Sequence, residues 1–294
     1  MDEKKITAYK GFDKDFKCRG FQYEVGREYE VTDKVECCES GFHACENPFD
    51  VWCYYDISNS RFALVEQSGE IDSKKDKTCS SKICIKEEIG LGDFIRTCVG
   101  RIVSKTRFET DYKVSNGYGV QIGSSGYGAQ IGSSGNDAKI GSSGNDAKIG
   151  SSGNDAQIGS SGDCAQIGSS GNDAKIGSSG YGAQIGSSGN DAQIGSSGYG
   201  AKIGSSGYGA QIGSSGDCAQ IKSEGKNCVI CCAGDKSAAR AKKGSWITLS
   251  EWRYIDDEWT PVCVKTERVD GVRIKEDTWY RLKNGEFVET KQKD

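Results

Sequence analysis

Four side chains able to hold a metal or act as a nucleophile fall within nine residues of one another: Cys37, Cys38, His43 and Cys45, with His43 the only histidine of the chain. Thiolate and imidazole together suggest either a zinc site or an activated thiol. Structural zinc sites usually draw closely spaced ligand pairs from two places in a chain, and only one such knot is present here. A Cys–His nucleophile needs side chains that face each other, which neighbours in one strand or turn seldom do. The fourteen cysteines are therefore read as reduced thiols serving as small core hydrophobes, and neither a metal nor a cofactor is expected.

A second candidate for chemistry lies in the middle of the chain. Isoleucine recurs every nine residues from Ile122 to Ile230, preceded two residues earlier by Val120, then Ala129 through Ala219, then Cys228. Each unit reads A-[QK]-I-G-S-S-G-x-x, where the last pair is YG, ND or DC. Aligned on its glycines, the unit shares Gly at two places and Asp at one with the calcium-binding nonapeptide, but a glycine is replaced by Ser and the inward residues are shifted. Most units also lack Asp at that place, so the aspartates are read as solvated turn carboxylates. Ice binding is disfavoured as well, because the repeated outward residue is Gln or Lys and the array holds no Thr.

The alternation small–polar–large describes a very short strand with Ala and Ile inward and Gln or Lys outward. The GSSG that follows reads as turn chemistry, glycine supplying positive φ and serine bonding locally. Strands this short are stable only when unit stacks on unit and joins the isoleucines into one core. The expected fold is mainly β: a parallel β-solenoid flanked by an N-terminal α+β domain and a β-hairpin C-terminal cap. Two units per coil, 18 residues, are preferred to three, 27: with 27, Lys148, Lys175 and Lys202 would stack and repel. A coil of 18 keeps the lysines apart and stacks Asn136, Asn154, Asn172 and Asn190, and Tyr181 on Tyr199. It also stacks Asp137, Asp155, Asp173 and Asp191, which counts against it.

The expected boundaries are 1–115 for the head, 116–234 for the array and 235–294 for a degenerate coil and cap. In the head, ITAYKGF, FQYEVGREYEV, RFALVEQSGEI and SSKICIKEEI read as strands. Asn47-Pro48 starts a short helix and LGDFIRTCVGRIV is amphipathic. Asp270-Gly271 and Asn284-Gly285 read as hairpin turns near the end. The charge balance, 38 basic against 42 acidic residues, gives no case for a phosphate-backbone partner. With no apolar leader in MDEKKITAYKGF and no apolar run long enough for a membrane span, a soluble cytoplasmic protein is expected.

Two resemblances bear on function. ITAYKGFDKDFKCRGFQYEVG and CCESGFHACENPFDV, followed by GSSG repeats and a GSWITL…LKNGEFVE tail, resemble a family found in bacteriophage and prophage proteins. Its N-terminal domain is of unknown function. This implies a phage origin and brings no catalytic residues. AYKGF, GFHAC and ALVEQSGEI in that order also resemble the strand motifs of ADP-ribosyltransferase folds, which would make Glu66 or Glu70 an acid beside a nicotinamide cofactor. The favoured reading is a non-catalytic binding protein that inhibits a host defence enzyme or nucleoprotein by steric binding; a virion or scaffold role is the third. The expected contact residues are the ladder Gln121, Lys139, Gln157, Lys175, Gln193 and Gln211, and the outward aromatics Tyr127, Tyr181 and Tyr199. A homodimer is open, and the array itself could be only a rod that holds head and cap apart.

Overall fold

The computed structural model describes residues 5–32, 34–74, 76–106 and 113–291; residues 1–4 of the segment read for a leader lie outside the described residues. In the array, each nonapeptide contributes one four-residue strand running from its Gln or Lys to the first Ser, as in Lys148–Ser151. Strands pair in parallel with those 18 residues away, Lys148 on Gln166 and Ile149 on Ile167, and this register holds throughout the repeats. The solenoid thus has about seven turns and two sheets, the coil of 18 that charge spacing favoured. One sheet collects the strands from Lys113–Ser115 through Ala238–Arg240, and the other those from Gln121–Ser124 through Trp246–Ile255.

Inward positions are Ala, Ile and, unexpectedly, the first Ser. Ala147, Ile149 and Ser151 are all fully buried, and the same trio recurs in the next turn as Ala165, Ile167 and Ser169. This Ser is a strand residue, so the strand is longer than the three residues expected and the turn shorter. Positive φ also falls elsewhere than expected. The second residue of the variable pair carries it, as Gly128, Asp137, Asp146, Asp155 and Cys164, and the GSSG glycines do not. Aspartate tolerates the left-handed region better than most residues, so ND replaces YG without strain.

The fourth residue of GSSG is glycine for a different reason. A Cβ on Gly162 would sit 2.0 Å from the carbonyl oxygen of Gly144, and one on Gly180 would sit 2.0 Å from that of Gly162. Coil packs on coil here through bare backbone. The corner just beyond is tied by side chains: the Oδ1 of Asn136 accepts the N–H of Asn154, Asn154 that of Asn172, and Asn172 that of Asn190, each at 2.9 Å. At the opposite corner Tyr181 and Tyr199 stack with ring centroids 5.4 Å apart and planes within 4°.

The head is a five-stranded antiparallel sheet. Its strands are β1 (Ile6–Phe12), β4 (Glu28–Glu30), β5 (Phe42–Ala44), β6 (Arg61–Ser73) and β7 (Thr78–Ile89), in order β1-β6-β7-β4 with β5 also on β7. A separate ribbon pairs β2 (Lys17–Cys18) with β3 (Phe21–Gln22). FQYEVGREYEV is therefore two short strands, β3 and β4, because Gly26 turns the chain at φ +84°. Helix α1 (Pro48–Val51) starts at the expected proline, and α2 (Leu91–Thr106) is the amphipathic segment.

At the other end, Ala238–Arg240 and Trp246–Leu249 continue the parallel ladders as degenerate coils. A long hairpin, Trp246–Ile255 with Glu258–Arg268, turns at Asp256-Asp257, both with positive φ. The expected hairpin at Asn284-Gly285 joins Tyr280–Lys283 to Glu286–Glu289. Asp270-Gly271 makes no strand pair: the Asp270 carboxylate instead accepts the N–H groups of Val272, Arg273 and Ile274.

Two alanine substitutions separate the glycine roles. Gly180→Ala meets backbone and should destabilise by about 2 kcal/mol or more. Gly177→Ala, with nothing within 4 Å of its Cβ, should change stability by less than about 1 kcal/mol. Denaturant unfolding of the two variants checks this.

Candidate functional site: two faces of one solenoid

Both sheets present the same outward surface, a row of Gln and Lys beside a row of glycines. Only one is open. The head lies along the sheet that begins at Lys113, with α2 packed across its strands, so the array is more than a rod that holds head and cap apart: its flank is the head's docking surface. Aliphatic side chains of the head sit on the glycine row. The Cβ positions of Gly168, Gly186 and Gly204 lie 3.1, 2.9 and 3.1 Å from Val99, Ile95 and Leu91 of α2 respectively. One four-residue helical step thus matches one rung of the ladder, because residues four apart share a helix face. Ile57 packs beside Gly186 and Gly204, and Phe49, Trp52 and Phe94 complete a buried apolar cluster behind α2.

The polar row of this covered sheet is matched as well. Lys148 pairs with the Asp50 carboxylate, both largely buried. Lys202 lies 3.4 Å from Asp56, and the Gln184 side-chain amide donates to the Trp52 carbonyl at 2.8 Å. Each lysine of the covered row has received an aspartate of the head.

The opposite sheet carries the expected ladder on one face, with Gln121, Lys139, Gln157, Lys175, Gln193 and Gln211 all exposed and in consecutive register. Its glycine row, Gly141, Gly159, Gly177 and Gly195, has nothing within 4 Å of the Cβ positions. Together the two rows form an open groove. No ion pair to Lys139 or Lys175 forms among the described residues. Tyr127, Tyr181 and Tyr199 are exposed at 82, 59 and 50% and share the corner that leads out of this sheet. Sequence reasoning missed the groove's far end, where Val229 and Trp246 continue the ladder and are about half exposed. Val229 was detectable, standing 18 residues after Gln211. Trp246 was not, because its coil is one residue short.

The Cys37–Cys45 knot is only partly kept together. Cys37 and Cys79 are buried, with the thiol of Cys79 pushed up to about 12 by burial. Cys45 is likewise raised to about 12 by burial. Such thiols are protonated at neutral pH and poor nucleophiles. The side chains of Cys37, His43 and Cys79 do converge within 4.8 Å. However, the two ring nitrogens of His43 already have partners: Nδ1 donates to the Gly41 carbonyl at 3.0 Å and Nε2 accepts the Cys38 N–H at 2.8 Å. Burial lowers the His43 pKa, which keeps it neutral in this role. The set reads as a turn lock.

Of the three transferase-like segments, AYKGF and GFHAC line one cavity of the head, through Tyr9 to Gly11 and Gly41 to Cys45. ALVEQSGEI does not reach it. Glu66 is held on the surface between Lys5 and Lys86, at 3.1 and 3.0 Å, and Glu70 is exposed.

Residues 6–97 match a family model described as a domain of unknown function, DUF7666. The match covers the head up to the middle of α2 and ends before the repeats. Neither a curated protein nor a solved structure matches the chain. No described helix is long and apolar enough to cross a membrane.

Two measurements probe the head. Asp50→Ala leaves a largely buried ammonium without its carboxylate and should cost roughly 3 kcal/mol, while Asp50→Leu combined with Lys148→Met should recover most of it in denaturant unfolding. For His43, the folded-state pKa lies below the ordinary 6.5, so its contribution is present above that pH and is lost as pH falls through the folded value. The melting temperature should therefore drop more steeply below that pH in the wild type than in His43→Gln.

Proposed function

We propose that this chain is a non-catalytic binding protein and that the open sheet captures an amphipathic helix of a protein partner. One observation carries the reading: the same repeat surface, on the other side of the same solenoid, already holds such a helix. There, aliphatic side chains spaced four apart settle on glycines, and carboxylates meet the lysines. A partner for the open face would repeat that chemistry, with aliphatic residues at i, i+4, i+8 and i+12 over Gly141, Gly159, Gly177 and Gly195 and acidic residues opposite Lys139 and Lys175. Trp246 and Val229 give the groove an apolar end, and tryptophan is frequent among residues that dominate binding energy. Tyr127, Tyr181 and Tyr199 would form a rim along one side.

The phage and prophage resemblance supports a host protein as that partner, specifically a defence enzyme or nucleoprotein inhibited by occupation of its surface. The placement of Glu66 and Glu70 away from the head cavity gives the transferase reading no support.

Photo-crosslinking tests this. A photoreactive residue at Gln157 should trap one host protein through a helix, and Lys139→Glu with Lys175→Glu should reduce capture at least tenfold without changing the melting temperature. Equal capture by wild type and variant would defeat the proposal. A dimer of this chain lost in the same variant would make the occupant a second copy.

A further inference from the structure

The head contains a cavity of about 560 Å³ bounded by β1, β4, β5, the β2–β3 ribbon and the residues following α1. We infer that this cavity is a small-molecule site for an aromatic carboxylate, which enters acid first toward Lys10. Its position and lining are separate from the solenoid groove.

Lys10 is the first reason. It is 3% exposed, its ammonium donates to the His43 carbonyl at 2.8 Å, and it lies 3.5 Å from the Cys18 sulfur. The rings of Phe12 and Tyr23 flank it with centroids 5.6 Å away. Among the described residues no carboxylate pairs with it. Burying a cation without a counter-ion costs several kcal/mol, and an apolar residue would fill a purely structural position at less expense. Burial accordingly favours the neutral amine, and a bound anion would supply the missing charge.

The walls select a planar ring. Tyr23, Tyr29 and Phe21 meet edge-to-face, at 4.9 to 5.4 Å between centroids, and all three line the cavity. Such rings offer faces and edges to an inserted aromatic group. Electrostatics select the anion, since Arg19 and Lys77 join Lys10 in the lining. Glu30, the one carboxylate there, lies 3.5 Å from Lys82. Arg19 and Cys38, on the rim of the cavity, turn the chain with φ of +49° and +84°.

Benzoate, indoleacetate, benzamide and acetate are the probes, titrated calorimetrically into the full chain. Benzoate or indoleacetate should bind at least tenfold more tightly than benzamide, and acetate should not bind. Lys10→Met should abolish the preference for acid over amide and leave the fold unchanged by circular dichroism. Failure of both aromatic acids to bind, or binding indifferent to Lys10→Met, overturns the proposal. Should that variant not fold, crystals soaked with a bromobenzoate decide: a carboxylate on the Lys10 amine supports the site, and bromine elsewhere removes it.

Discussion

The contact on which the rest of the solenoid depends is the one between the fourth-place glycine of one coil and the backbone of the coil beneath. With about 2 Å between a notional Cβ and the carbonyl below, the corner tolerates no side chain. Coils can then approach to the spacing of hydrogen-bonded strands, about 4.8 Å. A strict 18-residue register follows, because an insertion would move that glycine out of the corner. Once register is fixed, like residues stand over like. Isoleucine columns form the core, asparagine columns tie one corner, and two tyrosines stack at the other.

Such stacking makes two outward faces of nearly equal chemistry, and a single chain breaks the equivalence by covering one of them. The choice of face follows from connectivity. Helix α2 precedes the strand Lys113–Ser115, which belongs to the covered sheet, so the head reaches that flank first. The lysine pattern agrees: Lys148 and Lys202 stand where Asp50 and Asp56 meet them. The other face can remain open because glutamine, lysine and backbone are well solvated. An open face of leucine or valine would instead drive association.

Much of this was legible in advance. The period of nine, the inward Ala and Ile, and the coil of 18 follow from spacing and like-charge repulsion. The ladder from Gln121 to Gln211 follows from the same arithmetic. What was not legible has specific causes. Glycine required for close approach and glycine required for positive φ look identical in sequence, so GSSG was read as the wrong kind of turn. The Asp50–Lys148 pair spans 98 residues, and nothing local to either marks it. A turn at Asp256-Asp257 was overlooked because no glycine signals it, although aspartate adopts the left-handed region. The cavity around Lys10 is assembled from short segments that each read as ordinary strand or loop.

The segment from Pro48 to Tyr55 joins the head cavity to the covered sheet of the solenoid. Val51, Tyr54 and Tyr55 line the head cavity, while Asp50, the Trp52 carbonyl and Cys53 meet Lys148, Gln184 and Gln166 of the covered sheet. Eight residues therefore form at once a wall of the cavity and a seam with the solenoid. Trp52 within it, buried to 2% exposure, packs on Phe49 and Phe94. The covered face thus does more than hide glycines. It also holds the head's pocket-lining segment against the solenoid, through Asp50 on Lys148 and the Trp52 carbonyl on Gln184.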